Sequence, residues 1–239
     1  MILYGRNPVR EALRAGRRQI DQVWATERLV AREPWLSQAG ARITSAHEIE
    51  RRADSPDHQG VCAEAGGYPY VSGAELLMPS DPFIVALDEL QDPQNLGAIA
   101  RSAECAGVGG LVLCERRAPA DAFTTAGVTA AVVKASAGAV EHLRVARVRN
   151  MADFLGQAKA AGAWCYGADG AGETAYDAPD YTGAVVLVMG AEGTGLRPRV
   201  AKACDALVAL PLRGCTESLN ASAAAAVLMY EILQRRCAA

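Results

Sequence analysis

The sequence predicts an α/β protein in two parts, a small α/β domain followed by a larger domain built on a parallel sheet. From Phe83 onward, short apolar runs alternate with stretches of helical periodicity, and such alternation is typical of a parallel sheet. Residues 1–65 show the same alternation on a smaller scale. Between these parts, residues 66–82 contain GGYPYVSG and MPSDP, whose glycines and prolines break regular structure. We therefore expect domains at 1–65 and 83–239, joined by a linker at 66–82.

The elements of the two domains follow from these patterns. In the first domain, strands are predicted at 19–25, 41–44 and 61–65, with a helical stretch around Trp35 and Leu36. In the second domain, strands are predicted near 83–88, 110–114, 143–148, 163–167, 184–189 and 206–210. Helices are predicted near 95–107, 124–136, 150–161, 198–204 and 218–236.

Composition narrows the class of protein. At 239 residues and 51% hydrophobic, the chain can bury one good core or two smaller ones. No apolar run reaches membrane-spanning length, and a charged start with Arg6, Arg10 and Glu11 lacks a signal-peptide core, so we expect a cytoplasmic protein without a membrane partner. Seven cysteines without a CxxC pair and three widely separated histidines indicate neither a disulfide framework nor a metal site.

Polar residues follow the first strand of the second domain. The apolar run that starts at Phe83 ends at Asp88, and a helix begins near Asn95, which we expect to cap it. Arg101 lies six residues further on, just under two turns, so both side chains can serve the carboxyl end of the strand. Open α/β sheets bind ligands at such ends.

Two later segments combine a strand with a glycine turn. In residues 184–198, a buried strand gives way to three glycines around Glu192, an arrangement in which backbone can touch a ligand. From Leu210, a strand leads through a glycine turn to Ser218, Leu219 and Asn220, which open an alanine-rich helix. Ser and Asn are common helix-starting residues, so capping alone also accounts for this triplet.

Together these segments resemble the SpoU family of RNA ribose 2′-O-methyltransferases, within the knotted SPOUT superfamily. NLGAIAR at 95–101 is similar to the first family motif, VMGAEGTGL at 188–196 to the second, and LPLRGCTESLNASAA at 210–224 to the third. YGRNPVREAL at 4–13 resembles the start of the small RNA-binding domain in the subgroup that methylates a guanosine ribose of 23S ribosomal RNA. The resemblance implies a trefoil knot in the second domain, S-adenosylmethionine as the cofactor and a homodimer.

The resemblance also nominates site residues. The catalytic candidates are Asn95, Arg101, Glu192, Ser218 and Asn220. The candidates for contact with S-adenosylmethionine are Leu187, Met189, Gly190, Gly195, Leu210, Pro211, Ser218 and Leu219. Because a guanidinium stays protonated, we expect Arg101 to hold a phosphate and to stabilise the developing oxyanion, from across the dimer. Glu192 is then the candidate proton acceptor, and the amides of Asn95 and Asn220 would orient their neighbours.

Charge bears on the RNA partner. A net charge of −3 argues against a protein that coats nucleic acid indiscriminately, so RNA contact should be local. The predicted contact is a basic ridge on the first helix, formed by Arg6, Arg10, Arg14, Arg17 and Arg18. An ordinary amphipathic surface helix can carry such a ridge too.

The same residues also bear on other possible functions. A nicotinamide-dependent oxidoreductase is disfavoured, because GAEGTG does not match GxGxxG and no acidic residue follows it at the ribose-recognising distance. A non-catalytic RNA-binding relative stays open, although the candidate catalytic residues are present together. Among methyltransferases, a transfer-RNA ribose enzyme and a resistance-type ribosomal RNA enzyme also stay open, because substrate choice depends on RNA shape.

Overall fold

The structure, a computed structural model, describes residues 1–114, 127–216 and 218–238. The first part of the chain contains β1 (Ile2–Tyr4), α1 (Arg6–Ala15), β2 (Ile20–Ala25), α2 (Glu27–Val30), α3 (Pro34–Gln38), β3 (Arg42–Ile43), α4 (Ala46–Ala53), β4 (Val61–Ala65) and α5 (Gly73–Leu76). The rest contains β5 (Phe83–Leu87), α6 (Pro93–Cys105), β6 (Gly110–Cys114), α7 (Ala130–Ala135), β7 (Val145–Val148), α8 (Met151–Ala160), β8 (Trp164–Ala168), β9 (Thr174–Ala175), β10 (Val185–Met189), α9 (Pro198–Ala203), β11 (Ala206–Ala209) and α10 (Ala221–Ala238). Short 3₁₀ turns lie at Pro56–His58 and Ala139–His142.

The chain forms two compact units that do not follow chain order. Unit 1 combines Met1–Pro69 with Val128–His142, and unit 2 combines Tyr70–Gly127 with Leu143–Ala239. The sequence-based division places 128–142 inside the second domain, whereas in the structure α7 contacts β1 and the following 3₁₀ turn contacts α1. The sequence of a short apolar helix does not indicate which of two cores it packs against. The assignment of residues 128–142 to unit 1 was therefore not predicted.

Unit 1 is built on a four-stranded sheet in the order β1-β4-β2-β3. Strand β4 is antiparallel to β1 and β2, and β3 is parallel to β2. Helix α1 buries Pro8, Val9 and Ala12, while its polar residues face outward. The three predicted strands of this unit are present, and β1 was missed because three residues are too few to show a period.

Unit 2 is built on a seven-stranded sheet in the order β7-β6-β5-β10-β8-β11-β9, with every pair parallel. This confirms the predicted parallel α/β fold. Strands β5, β6 and β10 are buried along their whole length, as expected when helices cover both faces. Leu87 pairs with Met189, so β5 and β10 end side by side, and the loops that follow them share one edge of the sheet.

Three features differ from the predicted elements or lie partly outside the described residues. The predicted linker contains α5, which starts with a capping box between Ser72 and Glu75. The predicted helix at 124–136 corresponds to α7, capped by the Thr129 side chain, and its predicted first residues lie outside the described part of the chain. Strand β9, only two residues long, was not predicted. Among the residues described, no helix is long and apolar enough to cross a membrane.

Candidate active site

A cavity of about 570 Å³ opens at the carboxyl edge of the unit 2 sheet. Its wall consists of Ala168, Asp169, Gly170, Met189, Gly190, Ala191, Glu192, Gly193, Thr194, Gly195, Val208, Leu210, Leu212, Ser218, Leu219, Asn220, Ala221, Ala224 and Leu228. The cavity therefore lies among the loops that follow β8, β10 and β11 and the start of α10. Its volume falls in the range of about 300–1,000 Å³ that small-molecule sites occupy.

The loop after β10 folds back on itself. The backbone N–H of Ala191 donates to the carbonyl of Gly195 (3.1 Å), and the N–H of Gly195 donates back to the carbonyl of Ala191 (2.9 Å). A Cβ atom on Gly190 would lie 2.2 Å from the carbonyl carbon of Gly195, a distance that no side chain can tolerate. Gly193 and Gly195 have φ of 79° and 66°, in the left-handed region that favours glycine. Glycine is thus required for this loop to line the cavity with backbone.

The helix after β5 begins two residues earlier than predicted, and its cap is a different residue. The Asp92 carboxylate accepts hydrogen bonds from the backbone N–H groups of Gln94 (3.0 Å) and Asn95 (3.4 Å), and Pro93 occupies the first helical turn. The prediction that Asn95 caps this helix was wrong. Because Asp92 satisfies the helix start, the buried Asn95 amide is left to bond elsewhere.

Side chains from all three predicted motifs meet in one hydrogen-bonded group, which we call the Asn95–Glu192–Asn220 cluster. Asn95 Nδ2 donates to Glu192 Oε2 (2.9 Å). Asn220 Nδ2 donates to Asn95 Oδ1 (3.0 Å) and lies 3.4 Å from Glu192 Oε1. An ionised carboxylate only accepts hydrogen bonds, so these contacts fix the orientation of both amides. The carboxylate of Glu192 is held by two neutral donors and has no arginine or lysine partner among the described residues.

Asn220 also caps α10. Its Oδ1 atom accepts from the backbone N–H groups of Ser222 (2.9 Å) and Ala223 (3.4 Å) and from the Ser222 hydroxyl (2.6 Å). The structure confirms the capping interpretation of this residue, and capping is compatible with a role in the site. One amide ties the start of α10 to the other two motifs.

An ion pair between the half-exposed Arg197 and the buried Asp88 lies beside the site and was not predicted from the sequence. Asp88, at the end of β5, is 1% exposed, and its two oxygens accept from Arg197 Nε at 3.0 and 3.1 Å. The backbone N–H of Arg197 also donates to Asp88 (3.3 Å). Hydrogen bonds with Asp88 raise the pKa of Arg197 above its ordinary value. The pair anchors the end of the loop after β10 to β5. The signal was an acidic residue directly after a buried strand, with an arginine two residues after the last loop glycine.

The structure brings most of the predicted cofactor-contact residues to the cavity. Those that line it are Met189, Gly190, Gly195, Leu210, Ser218 and Leu219. Leu187 does not, because it is fully buried in the middle of β10, where it pairs with Val85 and Tyr166. Pro211 is exposed and is not part of the lining.

In unit 2, the predicted residue Arg101 lies outside the cluster, and the unpredicted residue Asp169 lies at the cavity. Arg101 is exposed on α6 and has no ionic partner among the described residues, so the structure does not bring it into the cluster. Asp169 lines the cavity and was not predicted. Its position two residues after the predicted strand at 163–167 was the available signal, since the ends of parallel strands share one edge.

Arg6, Arg10 and Arg14 of the predicted basic ridge lie on α1, whereas Arg17 and Arg18 follow the end of that helix, and all five have partners inside the unit. Arg10 and Arg14 each lie 3.2 Å from the Glu11 carboxylate. Arg17 lies 3.4 Å from the Tyr68 hydroxyl. The Arg18 side chain is only 2% exposed and pairs with Glu141. The prediction that Arg18 faces RNA is corrected, because its guanidinium is buried.

Family models match both parts of the chain in order. Residues 82–230 match the SpoU rRNA Methylase family, and residues 2–71 match the RNA 2′-O ribose methyltransferase substrate-binding family. Two solved structures superpose well. An rRNA methyltransferase from Sinorhizobium meliloti with bound AdoMet is 27% identical, with a TM-score of 0.78 over 98% of this chain and 86% of that one. The SpoU methyltransferase AviRb from Streptomyces viridochromogenes, in complex with AdoMet, is 25% identical, with a TM-score of 0.78 over 99% and 90%.

Curated relatives cover nearly the whole chain. The TrmH family tRNA/rRNA methyltransferase YacO of Bacillus subtilis, whose assignment there is provisional, is 37% identical over 97% of this chain and 94% of its own length. A tRNA/rRNA methyltransferase of Synechocystis, itself uncharacterised, is 37% identical over 98% of this chain, which spans 62% of that relative's length. Since the first family model alone covers more than half of the residues, the chain belongs to the SpoU rRNA methylase family of RNA methyltransferases.

Proposed function

We propose that this protein transfers a methyl group from S-adenosylmethionine to a ribose 2′-hydroxyl of RNA, with a guanosine of 23S ribosomal RNA as the substrate. The observation that carries the proposal is the Asn95–Glu192–Asn220 cluster, of which Glu192 and Asn220 line the cavity. We also propose that the protein acts on this RNA in the cytoplasm. The 23S substrate rests on the similarity of residues 4–13 to the opening of the corresponding RNA-binding domain.

The cavity fits S-adenosylmethionine in size and chemistry. Leucines at 210, 212, 219 and 228 supply apolar surface, while Asp169 and Ser218 supply polar groups on the wall. The backbone around Gly190 forms a cradle that a Cβ atom would destroy. The cofactor supplies an electrophilic methyl group when bound, and the two structural relatives described above were solved with AdoMet.

Glu192 is our candidate for the proton acceptor. In the proposed step, the ribose oxygen forms a bond to the methyl carbon as the bond from carbon to sulfur breaks, and the hydroxyl proton moves to Glu192. Asn95 and Asn220 hold the Glu192 carboxylate in place, and both are neutral donors. The carboxylate is therefore positioned without a salt bridge that would turn it away from the ribose hydroxyl. Fixed geometry of this kind supplies much of the rate in a group transfer.

Arg101 is assigned to the RNA phosphate and to the developing oxyanion, from a second copy of the chain. It is exposed and lies outside the cluster, as expected for a residue that completes a neighbouring site. Helix α10 exposes Val227 (46%) and Tyr230 (49%), apolar surface suited to contact between two copies. Sedimentation showing a fully active monomer would contradict this homodimer.

Methyl transfer tests the proposal directly. The protein is incubated with labelled S-adenosylmethionine and unmodified 23S ribosomal RNA or transfer RNA, and the labelled nucleotide is mapped. The expected result is a 2′-O-methyl group at one guanosine of 23S RNA. Label on transfer RNA, or on a base, would contradict the proposed substrate or the proposed atom. Cofactor binding without transfer to any RNA would favour a non-catalytic RNA-binding relative.

Gly190→Ala is expected to abolish cofactor binding. The new Cβ must displace the backbone at Gly195, so the loop after β10 opens and the protein loses about 2–4 kcal/mol of stability. Thermal unfolding with and without S-adenosylmethionine measures both effects. Gly170→Ala is the matched control, since Gly170 also lines the cavity but its Cβ would meet no atom within 4 Å. Wild-type cofactor binding by Gly190→Ala would contradict the cradle.

A further inference from the structure

Unit 1 contains a second cavity, to which α1 contributes only its first residue, Arg6. This cavity has a volume of about 260 Å³ and is lined by Arg6, Thr26, Arg28, Leu29, Arg32 and Gln59. Three of its six lining residues are arginines, and none is acidic. A concave site with this composition presents hydrogen-bond donors and positive charge, which is the chemistry that recognises a phosphate.

Two of the arginines have no side-chain partner among the described residues. Arg28 and Arg32 are exposed, and their guanidinium groups have no ion pair or hydrogen bond with any described residue. They are four residues apart on one helical turn, because the backbone stays helical through Ala31, and so they lie on the same side. The third arginine, Arg6, pairs with Glu33. Arg28 and Arg32 therefore present unpaired charge at the cavity, whereas Arg10 and Arg14 on α1 are paired with Glu11.

Two neutral side chains add donors at the same place. Gln59 has a φ of 55°, and its Oε1 atom accepts from the backbone N–H of Arg6 (3.0 Å). With the oxygen engaged, the amide nitrogen of Gln59 remains for another partner. Thr26 precedes α2, but its hydroxyl makes no capping bond there. The apolar floor of the cavity is the buried side chain of Leu29.

We propose that this cavity, which we call the Arg6–Arg28–Arg32 pocket, binds a backbone phosphate of the RNA substrate. The inference rests on the proposed function. It makes this pocket, and not the α1 ridge, the principal RNA contact of unit 1. Guanidinium groups bind a phosphate through paired N–H donors, and phosphate contacts position an RNA without reading its sequence. A folded RNA would thus be held in register while the ribose is selected elsewhere.

The test compares three double variants of the full-length protein. Arg28→Gln/Arg32→Gln removes the two unpaired charges of the pocket, and Arg10→Gln/Arg14→Gln removes the two α1 arginines of the ridge that lie outside the pocket. Arg42→Gln/Arg51→Gln removes two exposed charges of unit 1 from places with no assigned role, so all three carry the same net charge. The dissociation constant for 23S RNA is measured over a salt series. Thermal unfolding and S-adenosylmethionine binding show that each variant is folded.

The pocket variant is expected to bind RNA about tenfold more weakly. The slope of the logarithm of its affinity against the logarithm of the salt concentration should be smaller by about two. In turnover its KM should rise with kcat unchanged. An α1 variant that loses more affinity than the pocket variant, or a pocket variant equal to the Arg42/Arg51 control, would overturn the inference. Binding of inorganic phosphate at Thr26 and Gln59 without any RNA defect in the pocket variant would also overturn it, in favour of a free-anion site.

Failure of the proposed function has a different readout. If the wild-type protein binds RNA but transfers no methyl group, the proposed function fails while the affinity comparison still tests the pocket. If wild type and pocket variant methylate with equal KM, the pocket fails alone.

Discussion

Replacing Asn95 by Ala is expected to lower single-turnover methyl transfer by about 10²–10³-fold, the range seen when one preorganised donor is removed from an active site. Asn95 donates to Glu192 at 2.9 Å and accepts from Asn220 at 3.0 Å, whereas the direct bond from Asn220 to Glu192 is longer, at 3.4 Å. Without it, the carboxylate and the start of α10 lose their common partner. Cofactor affinity should change far less, because Asn95 does not line the cavity.

Asn95→Asp separates the role of the donor from that of side-chain volume. The new carboxylate can still accept from Asn220, but it faces the Glu192 carboxylate with no proton between them. We expect activity at least as low as in Asn95→Ala at about pH 8, with partial recovery as the pH falls, because one added proton restores a donor and removes the repulsion. The measurement is the single-turnover rate of wild type and of both variants at about pH 8 and at successively lower pH values.

Asn150→Asp is the matched control for this substitution. Asn150 lies in the same unit and caps α8 through its side-chain oxygen, a role that Asp fills equally well. It should leave the rate and its pH profile unchanged. An Asn95→Asp protein that behaves like the control would show that the bond to Glu192 has no part in the reaction.

The sequence predicted the layout of unit 2 because its strands are continuous apolar runs. Runs such as Phe83–Leu87 and Val185–Met189 have no other stable place than the centre of a parallel sheet covered on both faces. Strands of two or three residues, such as β1 and β9, show no period and were missed. The knot that the family resemblance implies stays a prediction.

The site was predictable to the level of segments and not of bonds. Residues after parallel strands share an edge, so the three motifs were expected to meet. The bond between Asn95 and Glu192 joins residues 97 positions apart, and it depends on Asp92 taking over the cap, a local competition that the spacing of residues does not decide. Whether an arginine is free likewise depends on distant partners, as with Arg18 and Glu141.

Removing one partner of the Arg18–Glu141 pair is expected to be the most destabilising single change in unit 1. Both side chains are almost fully buried, at 2% and 1% exposure, and Arg18 Nε donates to Glu141 Oε2 at 3.0 Å. Arg18 also donates to the carbonyl of Gly66 (3.2 Å). Arg18→Met leaves the buried carboxylate without its hydrogen-bonded counter-ion, with Arg17 as a weaker cationic neighbour, and it should cost about 3–5 kcal/mol of unfolding free energy. The pair joins the recruited segment 128–142 to the rest of unit 1, so the loss should be cooperative.

The effect of Arg18→Met should grow with pH. Burial raises the pKa of Glu141 above its ordinary value of 4.5 even with Arg18 present, and without Arg18 an opposing influence is lost and the pKa rises further. Between the unfolded and folded pKa values the folded state holds a proton that the unfolded state has released, so the free energy of unfolding falls as pH rises through that window. Urea unfolding at about pH 5 and about pH 8 measures this difference.

Glu141→Gln provides the background that isolates the carboxyl group. In the double variant Arg18→Met/Glu141→Gln neither position of the pair carries a charge, so this variant should be more stable than Arg18→Met at about pH 8, and the pH dependence added by Arg18→Met should disappear. All other titrating groups are common to both backgrounds and cancel in the comparison. If Arg18→Met were equally destabilising at both pH values, or in both backgrounds, the ion pair would have no net role, and the packing of the arginine stem would have to account for the loss of stability.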